Sequence, residues 1–111
     1  MKLIFLGTGT STGIPTIGID KPVCSSSDSK DVRTRSSVLL QIGDKNILID
    51  CSPDFRQQML KSKVSKIDAI LFTHEHSDHT AGLDDVRPIS FKHGKIPIFA
   101  HKRVISNLER R

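Results

Sequence analysis

The chain opens on a short apolar run, Lys2-Leu3-Ile4-Phe5-Leu6, with the length of a buried strand. It gives way to Gly7-Thr8-Gly9-Thr10-Ser11-Thr12-Gly13, small and hydroxyl residues that mark a loop whose backbone can approach a neighbour closely. From Ile14 to Thr34 no period is visible, and Pro15, Gly18, Pro22 and Ser25-Ser26-Ser27-Asp28 predict a long loop with a short helical turn. Ser37–Ile42 and Asn46–Asp50 read as two strands, joined by Gly43-Asp44-Lys45 into a hairpin. Ser52-Pro53 then predicts a helix start, with Ser52 as cap, Pro53 in the first position and Asp54 at the positive end of the dipole. Phe55, Met59 and Leu60 would share its apolar face. Ala69–Thr73 is a fourth strand, a helix is expected over about Ala81 to Ile89, and Pro97–Ala100 is a fifth strand. A last helix begins near Lys102, with Val104, Ile105 and Leu108 on one face and no capping residue before Arg111. Strands come first and alternate with helices later, which predicts an α+β fold: a mixed sheet with packed helices.

Composition narrows this picture. A chain of 111 residues suffices for one small domain and not for two. Trp and Tyr are absent, so the core must rest on Ile, Leu and Val. The net charge of +5 favours solubility and is compatible with attraction for a phosphate-bearing substrate, with a local cluster at Lys102, Arg103, Arg110 and Arg111. No basic block is interleaved with aromatics, so a nucleic-acid partner is not expected. Cys24 and Cys51 stand far apart in sequence and outside any CxxC pair, which suggests reduced thiols and a cytoplasmic protein. The opening apolar run is too short for a signal peptide or a membrane span.

The strand at 69–73 runs straight into His74-Glu75-His76-Ser77-Asp78-His79. Imidazole and carboxylate donors suit Zn²⁺, Mn²⁺ or Fe. Four such donors within six residues are too crowded to saturate one ion, so two neighbouring ions completed by more distant residues fit better. The small residues Ser77, Thr80, Ala81 and Gly82 allow close packing around such a centre. Glu75, between the ligands, is expected to face solvent.

His74-x-His76-x-Asp78-His79 resembles the HxHxDH signature of the metallo-β-lactamase superfamily. Phe5-Leu6-Gly7-Thr8-Gly9-Thr10-Ser11 resembles the first strand and loop of its phosphodiesterase branch. Arg35-Ser36-Ser37, Ile47–Asp50 with Pro53–Gln58, and Gly82-Leu83-Asp84-Asp85-Val86-Arg87-Pro88 resemble the PhnP-like subgroup, whose namesake opens cyclic ribosyl phosphates. The resemblance implies that His74 and His76 hold one ion and that Asp78 and His79 hold a second. It implies catalytic parts for Asp78 and for Asp50, the latter as the aspartate that orients a metal-site residue. Thr8, Gly9, Thr10 and Ser11 would border the substrate. Asp84, Asp85 and Arg87 are expected to anchor a helix through ion pairs, and His93 and His101 to lie at the surface.

The sequence departs from the family pattern at two places. Only Cys24 remains of a cysteine-rich stretch, so a structural zinc is not expected, and Ser52 stands where relatives carry Gly. The family fold is a four-layer αββα sandwich of two halves. Residues 1–111 would correspond to the first half, ending within a helix, with further histidines and a bridging aspartate supplied by the second. The implied activity is hydrolysis of a small phosphodiester, cyclic phosphates included, by hydroxide activated at two divalent ions, Zn or Mn. tRNA 3′-end processing, thioester or lactone hydrolysis, and an inactive fragment remain open. A half-sandwich would leave one sheet face uncovered, so a homodimer through that face is a further expectation.

Overall fold

The computed structural model describes residues 1–111. Five strands form one mixed sheet in the order β1 (Lys2–Gly7), β2 (Ser37–Ile42), β3 (Lys45–Ile49), β4 (Ala69–Leu71), β5 (Ile98–Phe99). β2 runs antiparallel to both of its neighbours, β1 and β3, whereas β3, β4 and β5 are parallel. The expected α+β class is therefore present. The hairpin turn is two residues long: Ile42 pairs with Lys45, and Gly43 takes the positive φ of 59° that a tight hairpin turn requires.

The helices α1 (Phe55–Ser62), α3 (Arg87–His93) and α4 (Lys102–Glu109), with the short α2 (Ser77–Thr80), complete the fold. Ile4, Leu39, Leu48 and Ile70 follow one another across the sheet on one face. Leu39, Leu48 and Ile70 are buried there in a core with Phe55 and Met59 of α1, Val86 and Val104 of α4. Each fully covered aliphatic side chain of this kind contributes about 1.5–3 kcal/mol.

The opposite face carries a row Leu3, Leu40, Ile47, Ala69 and a row Phe5, Val38, Ile49, Leu71, Phe99. No element of the chain covers it, and Phe5 remains 67% and Phe99 57% exposed.

Several expected boundaries move. The helix after β3 begins at Phe55, because the Ser52 hydroxyl accepts the Asp54 N–H at 3.1 Å and folds Ser52-Pro53-Asp54 into a separate turn. Leu60 is exposed rather than on the buried face with Phe55 and Met59. The single helix expected over 81–89 is instead a 3₁₀ turn, Leu83–Val86, followed by α3. Pro88 lies in the first turn of α3, where its missing N–H has no helical partner to lose, so a new helix starts at Arg87. The long loop holds two 3₁₀ turns, Pro22–Ser25 and Ser29–Asp31. No helix is long and apolar enough to cross a membrane.

Candidate metal centre

The strand directions determine where the polar chemistry gathers. β1, β3, β4 and β5 all run the same way, so Thr8, Asp50, the Thr73–His79 segment and His101 emerge at one edge of the sheet. Carboxyl ends of parallel strands are where ligand crevices form in such sheets.

Asp50 follows β3 directly and is only 5% exposed. Its backbone is left-handed, with φ 61°, a conformation that Asp tolerates better than most residues. Two contacts hold it there: its N–H donates to Leu71 O at 2.8 Å, and its carbonyl accepts from the Ser37 hydroxyl at 2.8 Å. The turn carries its carboxylate across to the end of β4. Oδ1 accepts the Thr73 N–H at 2.8 Å. Oδ2 accepts the Thr73 hydroxyl at 2.7 Å and lies 2.7 Å from His79 Nδ1. Asp50 thus accepts twice from Thr73 and meets the His79 ring with one carboxylate.

The three imidazoles cluster. The His74 ring lies 4.6 Å from that of His76 and 4.1 Å from that of His79, centroid to centroid. His76 precedes α2, whose turn places Asp78 and His79 beside each other. His79 Nε2 is 3.1 Å from Asp78 Oδ2, yet the pair lacks hydrogen-bond geometry. Two donors about 2.0–2.1 Å from one tetrahedral ion stand roughly 3.3 Å apart, so this spacing suits a shared cation. Asp50, His74 and His79 also present ligand atoms that all lie within 4.8 Å of one another. Asp50 is the least available of these, since its carboxylate already accepts from Thr73 twice and meets His79. The donor set of nitrogen and carboxylate oxygen fits divalent transition metals.

Glu75 does not face open solvent. Its carboxylate pairs with Arg103 of α4 at 3.1 Å, and its side chain is 25% exposed. Its pKa is held below the usual carboxylate value, first by its own backbone N–H and then by Arg103, against a desolvation effect that opposes both. Arg111 donates to Glu75 O at 3.1 Å and to the buried Thr80 hydroxyl at 2.8 Å. Part of the basic cluster seen in the sequence thus braces the histidine segment.

A second brace comes from behind. Cys51 N–H donates to His79 O at 2.8 Å, and Gly82 N–H donates to Cys51 O at 3.0 Å. The two segments approach so closely that a Cβ on Gly82 would collide with Ser52 O and with Phe55 Cβ. Burial, together with the nearby Asp85 and Asp50 carboxylates, pushes the Cys51 thiol up to about 12, so it is neutral at ordinary pH.

The Thr8–Ser11 loop reaches the same edge but is separated from the cluster by intervening strands. β1 lies three positions from β4, about 14 Å by strand spacing. Thr8 accepts from Arg33 at 2.9 Å, Gly9 N–H donates to Thr34 O at 2.7 Å, and Thr10 O accepts from Gly13. Ser11 is exposed. No hydrogen bond joins this loop to the histidines.

Asp84, Asp85 and Arg87 form no ion pair; Arg87 instead donates to the backbone carbonyl of Asp84 at 2.9 Å. The exposed carboxylates gain little from pairing that water does not already provide. His93 and His101 are exposed, as expected, and His101 caps α4 by accepting the Arg103 N–H. Thr73 was not singled out from the sequence. Its position between a buried strand and the first histidine was the available signal.

Known proteins resemble this chain in sequence and fold. The family described as "Beta-lactamase superfamily domain" matches residues 45–111. An octanoyltransferase of Porphyromonas gingivalis is 50% identical across all of this chain, which covers 23% of that protein. The crystal structure of a diphosphatase from the PhnP family superposes with a TM-score of 0.93 and 50% identity, covering 97% of this chain and 44% of its own. Zn²⁺-bound PqqB from Methylobacterium extorquens shares the fold, with a TM-score of 0.84 at 24% identity, over 98% of this chain and 40% of its own. The chain spans less than half the length of each.

Proposed function

The chain belongs to the metallo-β-lactamase superfamily, whose members of this fold are hydrolases, and we propose that it carries the first part of a binuclear phosphodiesterase centre. In this reading His74 and His76 hold one divalent ion, and Asp78 and His79 hold the other. The observation that carries it is the pairing of Asp78 Oδ2 with His79 Nε2 at 3.1 Å while His79 Nδ1 rests on Asp50. When bound, divalent ions would supply Lewis-acid polarisation of a phosphoryl oxygen and lower the pKa of water from 15.7 towards about 7.

The protein's own part is positioning. Asp50 holds the His79 ring by Nδ1, which fixes the direction of Nε2. The Arg103–Glu75 pair and Arg111 hold the backbone between His74 and Thr80. Four donors cover only part of two coordination shells, so turnover requires further donors, as in relatives more than twice this length. The preference for phosphorus over carbon esters rests on the 50% identity to the PhnP-family diphosphatase. The acyl-transfer activity in the name of the P. gingivalis relative belongs to a protein of which this chain covers 23%.

The test is calorimetric titration of the chain with Zn²⁺ and Mn²⁺, followed by incubation of the chain, joined to the remaining part of the diphosphatase to supply the further donors, with an aryl phosphodiester, a thioester and a lactone. The diphosphatase serves as positive control. Saturable binding that His79→Ala and Asp78→Asn weaken at least tenfold, as expected for loss of a ligand, supports the centre. Folded chain that binds neither ion overturns it, and faster turnover of the thioester or lactone overturns the phosphodiester assignment.

A further inference from the structure

We propose that Thr73 is a positioning residue that fixes the tautomer of His74, so that one carboxylate, Asp50, presents two histidines to the metal centre. The proposal rests on the reading of His74 and His79 as ligands and adds how their lone pairs come to point outward.

The argument is an inventory of protons. An ionised carboxylate only accepts, and a threonine hydroxyl has one proton to donate. The Thr73 hydroxyl lies 2.7 Å from Asp50 Oδ2 and 2.9 Å from His74 Nδ1. Asp50 cannot donate, so the hydroxyl proton goes to the carboxylate. The Thr73 oxygen is then left as an acceptor, and its remaining neighbour, His74 Nδ1, must carry the hydrogen. A neutral imidazole protonated at Nδ1 has its lone pair at Nε2. His79 receives the same instruction directly, through Nδ1 at 2.7 Å from the same Asp50 oxygen. Both rings therefore expose Nε2, and their centroids lie 4.1 Å apart.

Thr73 is well held for this task. Its N–H donates to Asp50 Oδ1 at 2.8 Å, so backbone and hydroxyl grip both oxygens of one carboxylate. Asp50 is in turn fixed by the Leu71 and Ser37 contacts at its left-handed backbone. Valine has the shape of threonine without the hydroxyl, and it keeps the N–H contact. It would leave His74 Nδ1 with no partner to choose between tautomers. Serine keeps the hydroxyl.

The test uses the ¹⁵N-labelled 111-residue chain, stripped of metal and held above the ordinary imidazole pKa. Long-range ¹H–¹⁵N correlation reads which ring nitrogen of each histidine is protonated. In the wild type His74 and His79 should both carry the hydrogen on Nδ1. Thr73→Val should move His74 towards the Nε2–H form and leave His79 unchanged. Thr73→Ser should match the wild type, and Asp50→Asn should disturb both rings. Zn²⁺ affinity should fall about 10–100-fold in Thr73→Val and only slightly in Thr73→Ser. A wild-type His74 protonated at Nε2, or a Thr73→Val chain with unchanged tautomer and affinity, overturns the proposal. Failure of the wild type to bind zinc would instead overturn the metal-centre reading, while the tautomer comparison still decides the role of Thr73.

Discussion

The two faces of the sheet are built from alternate residues of the same strands and are equally apolar, yet they meet different fates. On one face Leu39 and Leu48 are 0% exposed and Ile70 1%, sealed by α1, α4 and the Leu83–Val86 turn. On the other, Leu3 is 52% and Leu71 38% exposed. Val38-Leu39-Leu40 and Ile47-Leu48-Ile49 are the uninterrupted apolar runs of strands buried on both sides. The difference teaches that the sequence specifies a two-sided strand while the 111 residues cover one side. The bare face is a contiguous apolar patch of the kind that marks an interaction surface, and it is where a homodimer was expected.

Unequal consequences of equal chemistry would sharpen this contrast. Leu48→Ala should cost about 2–5 kcal/mol in urea unfolding, because the cavity opens inside a packed core. A cost below about 1 kcal/mol would mean that the covered face is not close-packed. Gly82→Ala should cost about 1–3 kcal/mol by the same measurement, since its methyl must displace Ser52 O or Phe55. It should also weaken zinc binding by shifting the segment that carries His79; a wild-type midpoint would show that the two segments separate freely. The smallest stability effect belongs to the bare face. The double variant Phe5→Glu, Phe99→Glu should change stability by no more than about 0.5 kcal/mol. It should abolish the concentration-dependent self-association that light scattering is expected to detect in the wild type. Wild-type chain that stays monomeric throughout would break the link between exposure and association.

Much of this was legible in the residues. The short apolar runs and the turn residues between them gave the hairpin, and the succession of strands and helices gave the mixed sheet, because both are local signals. The donor spacing from His74 to His79 exposed the site for the same reason. What escaped was set by contacts distant in sequence. The helix over 81–89 broke because Gly82 must pass against Ser52 and because Pro88 restarts the chain. Leu60 fitted a helical stripe but turned outward, since no element packs on that side of α1. Thr73 gained its place from Asp50, 23 residues away, and Glu75 gained Arg103 as a partner on a helix not yet begun at that point in the chain. The Asp84–Arg87 ion pairs failed because a nearby carbonyl served Arg87 equally well.

The Arg111 contacts give the histidine segment a history as well as a shape. Thr80 and Glu75 are held by a side chain that follows them by 31 and 36 residues. During synthesis at about 5–20 residues per second, the donors emerge seconds before the residue that latches them. For that interval the backbone from Glu75 to Thr80 lacks the Arg103 and Arg111 contacts that later hold it.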